Sequence, residues 1–194
     1  MEKIPTLFQK KYDGKKYLGV TDEVKPGLEW VLDGIGIATV KYDGACCAII
    51  GGTFYKRYDA KHGKTPPEDA IPCCEPDEIT GHWPHWVLVD ENNPADKWFV
   101  AAKKNSVGLD PYYSYQTFEA IGPHFQNNPY GLSEDVLVKH ETQFIYESET
   151  TRSFESIRTF LEENEIEGIV YWKDRRPQCK IKRRDFGLQW PVKK

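Results

Sequence analysis

The tetrapeptide Lys-Tyr-Asp-Gly occurs twice in this chain, at residues 11–14 and 41–44. Lys41 follows the apolar run at 35–40 and precedes the run at 45–50, so a short β-strand is predicted on each side. A lysine at such a strand end loses part of its hydration, and burial favours the neutral amine, which is the nucleophilic form. Lys41 is therefore the candidate nucleophile.

The other copy of the tetrapeptide has different neighbours. Lys11 and the Asp13-Gly14 pair are followed directly by Lys15-Lys16-Tyr17, so charged residues surround this lysine. An Asp-Gly pair between short strands is typical of a hairpin tip in solvent. A four-residue pattern with one free position recurs by chance, so the choice of Lys41 over Lys11 depends on the rest of the chain.

Two lysines near the end of the chain could assist the same chemistry. Lys180 and Lys182 alternate on a predicted strand at 179–183, so both side chains would face the same side. The preceding predicted strand, 166–172, contains Glu167-Gly168. Cations beside an attacking lysine favour its neutral form and stabilise charge on phosphoryl oxygens. A solvated edge strand is the alternative explanation for two alternating lysines.

The order of these motifs resembles the covalent nucleotidyltransferase superfamily of ATP-dependent ligases and mRNA-capping guanylyltransferases. That signature begins with K-x-D-G and continues with an arginine, E-x-x-G, E-G-x-V and K-x-K. The matching positions are residues 41–44, Arg57, residues 119–122, residues 167–170, and Lys180 with Lys182. The resemblance implies an α+β fold, in which a mostly antiparallel β nucleotidyltransferase (ATP-grasp-like adenylyltransferase) domain has few helices.

Other patterns are similar to the vertebrate-type RNA ligase 1 family of 5′-3′ RNA ligases. They are the extended first motif K-x-D-G-x-C-C at 41–47, G-H-W-P-H-W at 81–86, N-P-Y-G-L at 128–132 and G-L-Q-W-P at 187–191. This resemblance implies an ATP-dependent RNA ligase, which joins a 5′-phosphate to a 3′-hydroxyl through a lysyl-AMP and an adenylylated RNA 5′ end.

The resemblance also implies roles for individual residues. Lys41 would carry AMP, with Lys180 and Lys182 as catalytic cations. Glu119 would bind the ribose hydroxyls, and Arg57 would bind a phosphate of the nucleotide and then the RNA 5′ end. The implied ATP contacts are Lys41, Arg57, Glu119, His140, Glu167, Lys180 and Lys182.

Two of these roles leave alternatives open. His140 is the candidate for stacking on adenine, and a packed core histidine is the alternative. Glu167 would engage Mg²⁺ or Mn²⁺ or would orient Lys41, and the metal would be bound mostly through phosphate oxygens and water.

Charge is strongly segregated along the chain, although the net charge is only −4 and the pI is near 5.8. Residues 68–91 contain seven acidic and no basic residues, whereas residues 171–194 contain nine basic residues against two acidic ones. A polyanion would bind at the basic end. The RNA contacts predicted at this end are Arg175, Arg176, Arg183 and Arg184, and the resemblance adds Arg57.

The spacing of apolar runs predicts many short strands and one clear helix at 154–163, with Ser153 as its N-cap. Strands are also predicted at 29–32 and 98–102. We expect a single domain over residues 1–194, without an appended oligonucleotide-binding barrel.

The five cysteines, Cys46, Cys47, Cys73, Cys74 and Cys179, include two adjacent pairs and no C-x-x-C spacing. Together with the absence of an apolar run near 18 residues, they predict a reducing cytoplasmic location. Cys46-Cys47 are expected to pack within a strand. A zinc site at Cys73-Cys74 with His82 and His85 is the less favoured alternative.

Two other functions remain open at this point. Guanylyl transfer or DNA nick sealing would use the same lysine with a different nucleotide or nucleic acid. A non-catalytic RNA-binding β domain would use only the basic end of the chain.

Overall fold

The computed structural model describes residues 3–61, 64–78, 81–109, 114–146 and 152–192. Within these residues, all pairings between strands are antiparallel and only two short α-helices are present. The predicted mostly antiparallel β structure with few helices is confirmed, and it is compatible with the α+β class. The nucleotidyltransferase fold itself stays a prediction.

The strands are β1 (Phe8–Asp13), β2 (Lys16–Val24), β3 (Ile37–Lys41), β4 (Ala45–Ile50), β5 (Thr53–Ala60), β6 (Ile71–Pro72), β7 (Trp83–Leu88), β8 (Tyr115–Ile121), β9 (Val136–Lys139), β10 (Phe144–Ile145), β11 (Gly168–Lys173) and β12 (Arg176–Lys182). The helices are α1 (Lys97–Asn105) and α2 (Phe154–Glu163). Short 3-10 helices span Glu29–Val31, Pro94–Asp96 and Arg183–Phe186.

The chain divides into two compact units. The central unit contains Asp43–His140 together with Met1–Lys3. Its sheet has six strands in the order β6-β7-β5-β4-β8-β9. Side chains of β4, β5, β8 and β9 form its core with those of α1, including Cys47, Phe54, Ala102, Phe118 and Leu137.

The terminal unit contains Ile4–Tyr42 and Glu141–Lys194. It has a four-stranded sheet in the order β10-β3-β11-β12 and the separate β1–β2 hairpin. Leu7, Ile157, Leu161, Ile169 and Ile181 lie in its core and are fully buried. The expectation of a single domain over residues 1–194 stays a prediction.

Helix α2 has the predicted bounds. The Ser153 side chain accepts a hydrogen bond from the Ser156 amide, and the Ser156 hydroxyl accepts one from the Ser153 amide. This reciprocal cap satisfies amides that the first turn of a helix leaves unpaired. Ile157 and Leu161 are buried one turn apart, so the amphipathic pattern and the cap both predicted this helix correctly.

Two predicted strands are wrong. Residues 98–102 lie in α1, and residues 29–31 form a 3-10 helix. Upstream of α1, the Asn93 side chain accepts from the Ala95 amide, and Pro94 opens the preceding 3-10 turn. Both residues favour the start of a helical segment, and this signal outweighs the β-propensity of a short apolar run.

Glycines form the turns of two hairpins, of which the one at Asp13-Gly14 was predicted. Gly51 and Gly52 connect β4 to β5 with φ of 55° and 81°, which glycine adopts without steric cost. The β1–β2 hairpin turns at Gly14, where φ is 55°. Within the described residues, no helix is long and apolar enough to cross a bilayer.

Candidate active site

Neighbouring strands of the terminal unit bring Lys41 and Lys182 to one place. Gly168 of β11 pairs with Lys41 of β3 on one side and with Lys182 of β12 on the other. Residues directly opposite each other project from the same face of a sheet. The side chains of Lys41 and Lys182 therefore lie on the same face of the sheet, and Gly168 puts no side chain between them. A Cβ atom on Gly168 would lie only 2.2 Å from the Ile181 carbonyl oxygen.

The carboxylate of Glu167 lies between the two ammonium groups. Its Oε2 accepts a hydrogen bond from Lys41 Nζ, and its Oε1 accepts one from Lys182 Nζ. Glu167 is only 5% exposed, and its backbone oxygen accepts from the Arg183 amide at 2.9 Å. Lys41 Nζ also donates to the Tyr42 carbonyl at 3.1 Å. One carboxylate with two ammonium groups leaves a net positive charge, which suits a phosphate ligand.

Burial lowers the pKa of Lys182 below the ordinary lysine value. Repulsion from the Lys41 ammonium acts in the same direction, whereas the attraction of Glu167 opposes it. The two lysines therefore influence each other electrostatically, as expected for cations that share one carboxylate.

Lys180 lies two residues before Lys182 on β12 and faces the same side, as the alternation predicted. The Lys180 amide donates to the Pro5 carbonyl at 3.0 Å, and the Leu7 amide donates to the Lys180 carbonyl at 2.8 Å. The segment at residues 5–7 thus pairs with the outer edge of β12 through backbone hydrogen bonds. This contact argues against the alternative of a solvated edge strand.

Lys11 and Lys41 differ as the sequence predicted. Lys11 is exposed on β1, close to the Gly14 turn. Lys41 ends β3, is partly buried, and contacts the carboxylate of Glu167. The contrast supports Lys41 as the candidate nucleophile, whose chemical role stays a prediction.

In the central unit, Glu119 of β8 organises a second group of predicted residues. Glu119 Oε1 accepts from the Gly44 amide at 3.1 Å, and Oε2 lies 3.2 Å from His140 Nε2. His140 Nδ1 lies 2.9 Å from the Thr117 hydroxyl, so both ring nitrogens are engaged. A Cβ atom on Gly44 would lie 2.2 Å from the Ala120 carbonyl oxygen, so only glycine fits there.

Arg57 shares a sheet face with Glu119. Cys46 of β4 pairs with Glu119, and the β4–β5 register, in which Cys47 lies opposite Lys56, puts Cys46 beside Arg57. Burial raises the pKa of Cys46 to about 12, with Glu119 adding to this effect and Arg57 opposing it. Arg57 Nε donates to Asp59 Oδ1 at 2.8 Å. The structure thus brings Arg57, Glu119 and His140 together in one unit.

Sequence reasoning missed two residues that hold the loop after Lys41. The Asp43 amide donates to the Tyr130 hydroxyl at 2.6 Å, and the Gln126 side-chain amide donates to the Gly44 carbonyl at 3.2 Å. Residues 126–128 all have positive φ, between 48° and 59°. The Asn-Asn-Pro sequence at 127–129 favours such a turn, and it was the available signal.

Arg183 differs from the other arginines predicted to bind RNA. It is 7% exposed, and its guanidinium donates to the backbone carbonyls of Leu161, Asn164 and Gln189. Arg183 therefore ties the C-terminal end of α2 to the segment after β12, and we leave it out of the proposed RNA contacts. Arg175, Arg176 and Arg184 are exposed.

Among the described residues, no cluster of three or more His, Cys, Asp or Glu side chains could hold a metal ion. Both Glu167 oxygens accept from lysines, which fits the role of orienting Lys41, and metal contact by Glu167 stays a prediction. His85, named in the zinc alternative, is buried with Nδ1 2.9 Å from the Trp83 carbonyl oxygen. Cys46 and Cys47 lie in β4 as predicted, with Cys47 fully buried.

Comparison with known proteins adds an independent finding. Residues 103–194 match the sequence model of the RNA ligase 1 family. The predicted resemblance to the RNA ligase 1 family is confirmed. The matched segment contains Glu119, His140, Glu167, Lys180 and Lys182, whereas Lys41 and Arg57 precede it.

The chain is also similar to three curated RNA ligase 1 proteins. It is 30% identical over 145 residues to that of Danio rerio, covering 60% of this chain and 44% of the relative. It is 26% identical to those of Pongo abelii over 165 residues and Rattus norvegicus over 227 residues. These alignments cover 66% and 80% of this chain, and 50% and 69% of the relatives. The chain thus spans about half the length of the first two relatives.

Proposed function

We propose that this chain is an ATP-dependent RNA ligase that joins an RNA 5′-phosphate to an RNA 3′-hydroxyl. The observation that carries the proposal is the contact of Lys41 and Lys182 with the two oxygens of one buried carboxylate, Glu167. The resemblance to RNA ligase 1 proteins supports RNA as the nucleic acid.

In the first step, the Lys41 amine attacks the α-phosphorus of ATP. A nitrogen–phosphorus bond forms, the bond from phosphorus to the bridging oxygen breaks, and pyrophosphate leaves. The attacking amine must be neutral, and Glu167 is in contact with Nζ and can accept its proton. Lys182 and Lys180 then stabilise the negative charge that develops on the phosphoryl oxygens.

In the second step, an oxygen of the RNA 5′-phosphate attacks the phosphorus of lysyl-AMP, and the Lys41–phosphorus bond breaks. In the third step, a 3′-hydroxyl attacks the RNA 5′-phosphorus, AMP leaves, and the strand is sealed. Arg57 is proposed to bind a phosphate in these reactions, because a guanidinium can pair with phosphate through two hydrogen bonds.

Glu119 and His140 are proposed to contact the nucleoside. The Glu119 carboxylate would accept hydrogen bonds from the ribose hydroxyls. The hydrogen bonds of His140 lie at the edge of its ring. Stacking of adenine on the ring face would therefore not compete with them.

Mg²⁺ or Mn²⁺ is proposed to neutralise phosphate charge when bound with the nucleotide. The two Glu167 oxygens already accept from lysines, so phosphate oxygens and water would supply most metal ligands.

Intact mass after incubation with ATP and Mg²⁺ tests the proposal. We expect one AMP adduct on the wild type and on Lys11→Ala, and none on Lys41→Ala. Peptide mapping should locate the adduct at Lys41. An adduct retained in Lys41→Ala and lost in Lys11→Ala would reverse the assignment.

Parallel incubations separate the competing functions. An adduct formed from GTP instead of ATP would indicate guanylyl transfer, and sealing of nicked DNA in preference to RNA would indicate a DNA ligase. RNA binding that survives Lys41→Ala, with no adduct on the wild type, would indicate a non-catalytic RNA-binding domain.

A further inference from the structure

The tip of the β1–β2 hairpin carries a concentrated positive charge that the proposed reaction does not use. Its four lysines all lie at the surface, and Asp13 is the one acidic residue among residues 10–17. The tip therefore has a net charge of 4 − 1 = +3. It lies outside residues 103–194, which match the RNA ligase 1 family. The lysines are Lys10, Lys11, Lys15 and Lys16.

Two tyrosines lie among these lysines. Tyr12 is 54% exposed and pairs directly with Tyr17 across the hairpin. The two ring centroids are 5.5 Å apart, and Lys10 Nζ lies 5.8 Å from the Tyr17 ring centroid. An exposed aromatic ring among cations is the combination that binds single-stranded nucleic acid, because bases stack on the ring while the cations attract phosphates.

The hairpin is fixed to the end of β12, which carries Lys182. The Tyr17 hydroxyl donates to Asp185 Oδ1 at 2.7 Å, and Asp185 Oδ2 accepts from the Lys182 amide at 2.8 Å. Gly19 packs so closely that a Cβ atom would lie 2.6 Å from the Asp185 carbonyl oxygen. One carboxylate therefore connects the hairpin to the backbone of a proposed catalytic lysine, within the terminal unit.

We propose that the tip of this hairpin binds single-stranded RNA. The lysines contact the phosphates, and a base stacks on Tyr12. This inference rests on the proposed ligase function and adds a substrate-binding surface to it. An anionic lipid surface would also attract the lysines, but the exposed tyrosine ring favours a nucleobase.

The test measures binding of a 5′-phosphorylated single-stranded oligoribonucleotide by fluorescence anisotropy over a salt series, without ATP. One variant replaces Lys10, Lys11, Lys15 and Lys16 with Gln. Its matched control replaces four exposed lysines of the central unit with Gln, which changes the net charge equally. The control lysines are Lys61, Lys64, Lys104 and Lys139.

We expect the hairpin variant to bind RNA at least tenfold more weakly at low salt. Its slope of log affinity against log salt concentration should fall by up to about 2.8, from about 0.7 for each of four lost phosphate contacts. The control should bind within about twofold of the wild type. Tyr12→Ala should weaken binding about fivefold or more, and Tyr12→Phe should retain it.

Intact mass with ATP, measured on the same samples, separates this inference from the proposed function. A lysyl-AMP adduct that forms in all proteins, with equal RNA affinity in the hairpin variant and its control, would overturn the hairpin surface alone. Absence of the adduct on the wild type would reject the ligase proposal, and the RNA comparison would still decide whether the hairpin binds RNA. If the hairpin variant lost the wild type's binding to phosphatidylserine vesicles but kept the wild-type RNA affinity, the proposal would also be overturned.

Discussion

At the scale of single residues, the partner of each lysine distinguishes the two Lys-Tyr-Asp-Gly copies. Lys41 contacts Glu167, which also contacts Lys182, whereas Lys11 lies exposed on a hairpin. A carboxylate alone would hold an attacking amine in its charged form, and a second cation reduces that effect. The presence of Lys182 on the same carboxylate therefore matters for the reactivity of Lys41.

Lys182→Met should reduce the rate of lysine adenylylation most at low pH. The substitution leaves Lys41 alone with Glu167, which favours the unreactive ammonium. Because the pKa of Lys182 lies below the ordinary lysine value, Lys182 itself loses its charge as pH rises, so the difference from the wild type should shrink. Single-turnover rates measured across pH check this. Lost phosphate contacts should make the recovery incomplete.

Lys182→Arg is the matched control, because it keeps a positive charge at this position. Its rate should stay close to the wild-type rate at low pH, where Lys182 is charged as well. Lys180→Met tests the second lysine of the pair in the same way. A loss of equal size at every pH in Lys182→Met would show that Lys182 acts on phosphate alone.

At the scale of elements, the register of three strands aligns the site. Lys41, Gly168 and Lys182 lie directly opposite one another on β3, β11 and β12. The middle position must lack a side chain, because a Cβ atom there would lie 2.2 Å from the Ile181 carbonyl oxygen. Gly168 thus allows β11 and β12 to approach closely at the position between the two lysines.

Gly168→Ala should destabilise the fold by about 1–3 kcal/mol, the usual cost of overpacking a close contact. It should also slow adenylylation, because the clash separates β11 from β12 beside Lys182. Urea denaturation and intact mass after incubation with ATP measure the two effects. Gly14→Ala is the comparison, since a Cβ atom there meets no atom within 4 Å and only the backbone φ of 55° is unfavourable. Adenylylation at the wild-type rate in Gly168→Ala would contradict the argument.

Arg183 connects the end of α2 to the segment after β12. Its Nη1 donates to the carbonyls of Leu161 and Asn164, the latter at 2.9 Å, and its Nε donates to the Gln189 carbonyl at 2.9 Å. Arg183→Lys keeps the charge but cannot reproduce the forked geometry of these hydrogen bonds. We expect a loss of about 1–3 kcal/mol in the free energy of unfolding, measured with urea. Arg184→Lys, at an exposed neighbour, should change it by no more than about 0.5 kcal/mol. Equal stability of the two variants would remove the anchoring role of Arg183.

Local patterns predicted the elements whose signals lie close together in the sequence. Ser153 and the spacing of Ile157 and Leu161 were sufficient for α2. The short apolar run within α1 fits either a strand or a helix, and its decisive signal lay upstream at Asn93 and Pro94. Prediction from periodicity therefore failed where the run was too short to show a period.

Contacts between distant residues could be predicted only in part. The motifs indicated Lys41, Glu167 and Lys182, but not that both lysines contact one carboxylate. The hydrogen bond from the Asp43 amide to the Tyr130 hydroxyl joins residues 87 positions apart, and no local sequence pattern predicts it. Nothing in the sequence distinguishes Arg183 from its neighbour Arg184. In the structure Arg183 is buried against α2, whereas Arg184 is exposed.

At the scale of the whole molecule, the net charge of −4 conceals two oppositely charged units. The central unit has 9 Lys and Arg against 15 Asp and Glu, a balance of −6, and the terminal unit has 17 against 15, a balance of +2. The unit that carries Lys41 is thus the one whose charge attracts a polyanion. This distribution explains how an acidic protein could bind RNA.

Substituting Arg175, Arg176 and Arg184 with Gln should weaken RNA binding and leave lysine adenylylation largely intact. All three side chains are exposed, so their loss should not affect folding. If each contacts one phosphate of a single strand, the salt slope should fall by about 2, from about 0.7 per contact. Anisotropy over a salt series measures this, with a control in which Lys61, Lys64 and Lys104 of the acidic unit are replaced with Gln. An RNA affinity insensitive to both salt and the arginine substitutions would mean that these arginines are only solvated surface residues.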